Sequence, residues 1–253
     1  PLEGITGYIY RNTYEKHFGG FAKYFSPFIT TNQHFGIQNK EKKDVAPENN
    51  KGIYLVPQIM TNNGEQFRDM AEKMAALGYK EVNINLGCPS RTVVTKKKGS
   101  GFLAYPEELN NFLDEIFWYC KDMEISLKTR IGMENPEEFM RLMEIYNKYP
   151  LKELIIHPRL QTDYYNNHPN MEAFSYAVEK SKAPLCYNGD LFTVEDIRNF
   201  QKEYPTVENI MLGRGPLKTP TLMKELAGEE RDLNLWYDFL MELCEEYEKH
   251  LSG

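Results

Sequence analysis

The sequence predicts an α/β fold, a TIM (β/α)8 barrel with a short C-terminal helical extension, and three observations carry that expectation. Short β-branched runs alternate with longer segments of helical period along most of the chain. Helix-start signals sit between those runs. Polar residues and Gly- or Pro-containing turns gather where the runs end, at the C-terminal mouth where such barrels display functional groups. A length of 253 residues with 41% hydrophobic content suits one sizeable core.

Taken in order, Pro1-Leu2-Glu3-Gly4-Ile5-Thr6 reads as the end of a first strand. A helix follows from about Tyr8 to Phe18 and stops at Gly19-Gly20, since glycine suits the left-handed conformation past a helix end. Only Pro1 and Leu2 remain where a barrel strand needs several residues, so the natural protein is expected to carry a few more N-terminal residues. Seven further strands are expected at Tyr24 to Thr30, Ile53 to Ile59, Glu81 to Leu86, Ile125 to Arg130, Glu153 to His157, Pro184 to Tyr187 and Asn209 to Leu212. Helices between them are announced by Asn63 three residues before Gln66, Pro106 opening Pro-Glu-Glu-Leu, Asn135-Pro136-Glu137-Glu138 and Thr193 three before Asp196. Residues 31–52 are polar, a long loop of the kind that covers a barrel mouth. Past Leu217 the chain turns helical and acidic, as in Trp236 to Glu248. The expected organisation is therefore a catalytic barrel over residues 1–217 and a helical segment over 218–253.

A net charge of −7 argues against a generalised nucleic-acid binder and confines any RNA contact to a local patch. No run is long and apolar enough to span a membrane and no cationic, apolar leader opens the sequence, which predicts a cytoplasmic protein with no membrane partner. Cys88, Cys120, Cys186 and Cys244 lie far apart without CxxC or Cys/His spacing, so no metal site is expected and all four read as reduced thiols. A monomer is the default expectation.

The run Glu81-Val82-Asn83-Ile84-Asn85-Leu86-Gly87-Cys88-Pro89 is the most informative stretch. Its alternation delivers an amide and a thiol onto a loop that Pro89 stops from continuing as strand. Other polar residues fall at strand ends in the same way: Gln58, Lys128 with Arg130, His157 with Arg159, Asn188-Gly189-Asp190 and Gly213-Arg214-Gly215. The last two turns match the position of the phosphate site in TIM barrels, where glycines let backbone N–H groups approach an anion and Arg214 offers a charged fork. A Lys near the barrel centre can stabilise negative charge on a reduced isoalloxazine ring, which makes FMN the expected cofactor. Each residue also has a plainer reading: Cys88 as a small buried hydrophobe, His157 as a core histidine, Lys128 as half of a structural ion pair.

Together, Asn83-Ile84-Asn85-Leu86-Gly87-Cys88-Pro89-Ser90, Gly99-Ser100-Gly101-Phe102-Leu103 with Tyr105-Pro106, Leu127-Lys128-Thr129-Arg130-Ile131-Gly132, His157-Pro158-Arg159, Asn188-Gly189-Asp190 and Met211-Leu212-Gly213-Arg214-Gly215 resemble the tRNA-dihydrouridine synthases in order and spacing from Pro1 to about Pro220. The resemblance implies an FMN-dependent barrel that uses NADPH, with NADH as the other candidate, to reduce the 5,6 double bond of particular uridines in tRNA. It implies FMN contacts from Pro1, Leu2, Glu3, Gln58, Lys128, His157, Asn188, Gly189, Asp190, Gly213 and Arg214, and Cys88 as proton donor. The chemistry agrees: hydride addition at C6 leaves enolate character at C5, and a thiol of reference pKa about 8.5 is mostly protonated at neutral pH. Asn85, Arg130 and Arg159 are expected at the substrate. His157-Pro158-Arg159-Leu160 departs from the family pattern, which usually shows Gly and Thr at the second and fourth places. The family's C-terminal helical domain is here represented only by residues 218–253, as a truncated domain or a different docking mode.

The basic run Arg91 with Lys96-Lys97-Lys98 follows Cys88, either as a solvated loop or as a contact for the RNA backbone. Tyr164 and Tyr165 either stack on a base or cover apolar surface. Two other readings remain at this stage: an FMN-dependent small-molecule pyrimidine dehydrogenase of the dihydroorotate type, and a non-catalytic RNA-binding barrel.

Overall fold

A computed structural model describes residues 1–31 and 36–251. It contains seven parallel strands, β1 Tyr24–Thr30, β2 Leu55–Met60, β3 Glu81–Leu86, β4 Glu124–Arg130, β5 Leu154–His157, β6 Leu185–Tyr187 and β7 Asn209–Ile210, hydrogen-bonded in sequence order. Eleven helices are interleaved: α1 Tyr8–His17, α2 Asn39–Val45, α3 Gly64–Ala76, α4 Arg91–Val94, α5 Pro106–Tyr119, α6 Glu138–Tyr146, α7 Met171–Lys180, α8 Val194–Glu203, α9 Arg214–Lys218, α10 Leu222–Leu226 and α11 Leu233–Leu251. Short 3-10 turns at Pro47–Asn49 and Gly99–Ala104 complete the described elements. The edge strands β1 and β7 line one cavity of about 440 Å³ through Tyr24, Phe25, Asn209 and Ile210, so the sheet curls round as a TIM-type barrel with an open seam.

The expected first strand is absent. Leu2 N–H donates to Thr6 Oγ1 at 2.8 Å, while the N–H groups of Ile5 and Thr6 fold back to the Leu2 carbonyl at 3.1 and 3.0 Å. The backbone groups that a strand would offer its neighbours are consumed within this turn. Residues 31–52 also differ from an open loop, since α2 and the Pro47–Asn49 turn occupy most of them; residues 32–35 lie outside the described residues.

The helices form where apolar spacing and caps coincide. Phe67, Met70, Ala71 and Met74 place a buried stripe at i, i+3, i+4, i+7 on α3, and Asn63 Oδ1 caps it by accepting Gln66 N–H at 2.8 Å. Leu109, Phe112, Leu113 and Ile116 do the same on α5, which opens on Pro106. Full burial of each such large side chain contributes roughly 1.5–3 kcal/mol. Thr193 and Asp196 form the reciprocal cap of α8. At α6 half of the expected capping box forms: the Glu138 carboxylate accepts the Asn135 N–H at 2.9 Å, and also those of Met133 and Glu134 at 2.7 and 3.1 Å, while the helix itself begins at Glu138 with no side-chain cap on its first N–H groups.

Strand alternation sorts the barrel into two faces. Val82, Ile84 and Leu86 of β3 and Ile125 and Leu127 of β4 join the helices in the main core. Their neighbours Asn83, Asn85, Ser126, Lys128 and Arg130 therefore point to the opposite, inner face. There Ile155, Cys186 and Met211 make a small apolar cluster. Outside the barrel, α11 lays Phe239 against Tyr14 of α1 and against Phe18 just past its end, which fixes the C-terminal helix to the first one. No helix among the described residues is long and apolar enough to cross a membrane.

Candidate active site

The parallel register sets the inner-face residues side by side: Gln58 opposite Asn83, Asn85 opposite Lys128, and Arg130 opposite His157. An amide ladder runs across them. Asn85 Nδ2 donates to Gln58 Oε1 at 2.7 Å, Gln58 Nε2 to Asn83 Oδ1 at 2.8 Å, and Asn83 Nδ2 to Ser126 Oγ at 3.0 Å. Every member is buried, so the ladder satisfies polar groups that would otherwise be costly and fixes their orientation.

At the end of β3 the chain turns sharply. Asn85 Oδ1 accepts the N–H groups of both Gly87 and Cys88 at 3.0 Å, which presents the thiol at the mouth. Cys88 is half-buried, and burial raises its pKa against the opposing influence of the Ser90 backbone hydrogen bond and the Arg130 charge. The group is a neutral thiol at pH 7.

Lys128 sits beside this loop with no carboxylate paired to it among the described residues. Burial, reinforced by repulsion from Arg130, lowers its pKa to about 8. His157 is pushed well below the ordinary imidazole range by burial and by the charges of Lys128, Arg130, Arg159 and Arg214, so it is neutral. Arg159 Nη1 lies 2.9 Å from His157 Nε2 and can only donate, which places the ring proton on Nδ1.

Asp190 is gripped from two sides. Arg159 donates to both of its oxygens, at 3.1 and 2.5 Å, and Arg214 binds its Oδ1. The Arg214 guanidinium also lies over the rings of Tyr165 and Phe192, 4.7 and 5.2 Å from their centroids. Asn188 ties β6 to β7 through Nδ2 to the Met211 carbonyl at 2.8 Å.

One cavity at the C-terminal mouth is lined by Cys88, Pro1, Leu2, Glu3, Gln58, Asn85, Lys128, Arg130, His157, Asn188, Gly189, Asp190, Gly213 and Arg214. The expected site residues thus converge, with one exception. Arg159 is only 1% exposed and stands behind His157 and Asp190, its fork closed by Asp190 and its Nε bound to the Asn167 carbonyl at 2.6 Å. It does not line the cavity.

Two further assignments change their physical basis. A Cβ on Gly189 would lie 1.9 Å from Tyr187 Oη, so this glycine is required by a packed tyrosine, whereas a Cβ on Gly213 would meet nothing within 4 Å. The basic run divides: Lys97 lies over the Tyr105 ring and pairs with Glu108 at 3.5 Å, while Lys98 reaches the Thr31 carbonyl at 3.4 Å. Arg91 and Lys96 are exposed on the same loop.

Tyr165, Phe28 and Phe192 also line the cavity. Phe28 follows a bulge between Phe25 and Phe28 on β1, and Pro27 inside an apparent strand was the sequence signal for that irregularity.

The sequence model of one family, described as dihydrouridine synthase (Dus), matches residues 1–252. A tRNA-dihydrouridine(16) synthase of Pseudomonas syringae pv. tomato is 25% identical over 237 residues, covering 91% of this chain and 74% of the relative. The tRNA-dihydrouridine synthase B of Pasteurella multocida is likewise 25% identical, covering 100% of this chain and 75% of the relative. Among solved structures, the old yellow enzyme homologue of Zymomonas mobilis superimposes with a TM-score of 0.60 at 10% identity, over 93% of this chain and 87% of that one, a likeness of fold.

Proposed function

Because this chain belongs to the dihydrouridine synthase family, we propose that it reduces uridines of tRNA to 5,6-dihydrouridine, with FMN as cofactor and NADPH as reductant. The observation that carries this reading is the meeting, in one cavity, of a neutral thiol at Cys88 with an ammonium at Lys128 that has no carboxylate partner among the described residues.

The donor set suits FMN: Lys128 and Arg214 bring positive charge, Gln58 and Asn188 bring amides, and Gly213 leaves open space. Pro1, Leu2, Glu3, His157, Gly189 and Asp190 complete the residues that would hold it. Bound and reduced, FMN supplies the hydride that the uracil receives at C6. Cys88 donates its Sγ–H proton to C5, and the resulting thiolate is reprotonated from solvent. Lys128 stabilises negative charge at the cofactor. His157, neutral and with its proton on Nδ1, adds a donor without adding charge. Asn85 keeps one Nδ2–H for a uracil carbonyl, and Arg130 keeps two N–H groups for the same purpose. Arg159 acts through His157 and Asp190.

The target uridine must leave its stack to reach Cys88, at a cost of a few kcal/mol that is smallest in an already open loop. Arg91 and Lys96, exposed on the segment that follows Cys88, are cations available to the RNA backbone. In this reading residues 1–217 carry the chemistry, residues 218–253 flank it, and the enzyme acts in the cytoplasm as a monomer.

The test is chemical. Incubated with FMN, NADPH and tRNA that lacks dihydrouridine, the protein is expected to produce dihydrouridine detectable by mass spectrometry of the digested nucleosides. Reduction of free uracil or orotate with none in tRNA would contradict the proposal.

A further inference from the structure

We infer that Ser100 is a positioning residue for Cys88, an inference that rests on the proton-donor reading above. Ser100 is fully buried and does not line the cavity. Its Oγ–H donates to the Cys88 carbonyl at 2.8 Å, and its backbone N–H donates to the same oxygen at 3.1 Å. The backbone bond alone satisfies that carbonyl. The second donor therefore adds direction: two bonds from one residue hold the plane of the peptide that leaves Cys88.

The opposite side of Cys88 is held as firmly, by Asn85 Oδ1 accepting its N–H at 3.0 Å. Pro89 fixes the backbone that follows. Gly99 closes the third side: at φ +55° it lies so near that a Cβ would come 2.8 Å from the Cys88 carbonyl oxygen and 3.1 Å from Cys88 Cβ. With its backbone clamped, the thiol retains rotation about χ1 as its main freedom. Proton transfer to C5 depends on that placement, since an error of about 1 Å in a reacting group can cost on the order of 100-fold in rate.

The experiment is a double-mutant cycle read by anaerobic stopped flow, with NADPH-reduced holoenzyme mixed with tRNA lacking dihydrouridine. Ser100→Ala keeps the backbone N–H bond and removes only the hydroxyl. It is expected to slow flavin reoxidation by about 10-fold or more while the preceding reduction by NADPH keeps its rate. In a Cys88→Ala background the same substitution is expected to add nothing further, because its effect passes through the thiol. Ser100→Ala reoxidising within about twofold of wild type, or slowing both backgrounds equally as a general packing defect does, overturns the inference. If Ser100→Ala does not fold, Ser100→Cys, whose S–H is only a weak donor, takes its place in the cycle, with the same non-additivity expected and equal slowing in both backgrounds as the contrary result. A Cys88→Ala enzyme as fast as wild type removes the proton-donor reading and this inference together. A slow Cys88→Ala beside a normal Ser100→Ala removes the inference alone.

Discussion

The Nε of Arg130 donates to the Gly87 carbonyl at 3.0 Å, joining the strand that carries Lys128 to the loop that carries Cys88. Its two terminal nitrogens reach the carbonyls of Leu160 and Tyr164, both at 2.8 Å. A single guanidinium thus ties the thiol loop to the segment bearing Tyr165.

Replacing it by leucine leaves the Gly87 and Tyr164 carbonyls without this donor and the Leu160 carbonyl with only the Asp163 N–H at 3.3 Å. At about 1–3 kcal/mol for each polar group left unsatisfied, Arg130→Leu is expected to destabilise the protein by at least about 2 kcal/mol. For a chain of this size that is a fall of roughly 4–8 °C in Tm by calorimetry. Arg130→Lys, a point charge that cannot serve all three carbonyls, recovers only part of the loss. An unchanged Tm in Arg130→Leu would contradict this tie between the two loops.

Lys128 predicts a pH dependence for cofactor binding. Its pKa is lowered to about 8 in the folded protein from an ordinary 10.5. The ammonium that would meet the anionic cofactor therefore disappears as pH rises through about 8, and FMN affinity measured by fluorescence quenching should weaken there. Lys128→Met should bind FMN more weakly at pH 7 and lose this dependence. In the protein without cofactor the sign is opposite. Between about 8 and 10.5 the unfolded chain binds the extra proton, so this group makes stability rise with pH across that window.

Cys88, held above the ordinary thiol range, should alkylate slowly with iodoacetamide at pH 7 and accelerate only above about pH 9. Peptide mapping by mass spectrometry reads the rate at this residue. Fast alkylation at pH 7 would show a thiolate and remove Cys88 as an acid.

Gly189→Ala should damage the fold before it damages binding. Its Cβ would fall 1.9 Å from Tyr187 Oη, and Tyr187 is stacked on Phe200 with centroids 4.2 Å apart, so the ring has nowhere to retreat. An overpacking cost of about 1–3 kcal/mol is expected in denaturant unfolding. Wild-type stability with weakened FMN binding would point instead to a direct cofactor role for the glycine.

Much of this was legible in the sequence for identifiable reasons. The alternation of Glu81 to Leu86 set both faces of β3, and with Gly87 and Pro89 it marked where the thiol would emerge. Caps at Asn63 and Thr193 were local chemistry and needed no tertiary knowledge. The direction of the Arg159 side chain was not legible, because a strand-end position fixes a backbone and leaves open whether a long guanidinium turns to the cavity or to Asp190 behind it. Ser100 stands in the Gly99-Ser100-Gly101-Phe102-Leu103 motif, but nothing local linked it to Cys88, since that bond spans twelve residues and forms only when the loop closes. At Pro1 and Leu2, read as the end of a strand, nothing in the sequence hinted that Leu2 N–H would turn to Thr6 Oγ1.

The most direct test of the account is anaerobic reoxidation of NADPH-reduced holoenzyme by tRNA lacking dihydrouridine, compared between wild type and Cys88→Ala. The account predicts rapid return of the oxidised flavin absorbance with tRNA, none with free uracil or orotate, and a loss of about 100-fold or more in Cys88→Ala with unchanged reduction by NADPH. Reoxidation by the small pyrimidines alone, or a Cys88→Ala enzyme as fast as wild type, would contradict it.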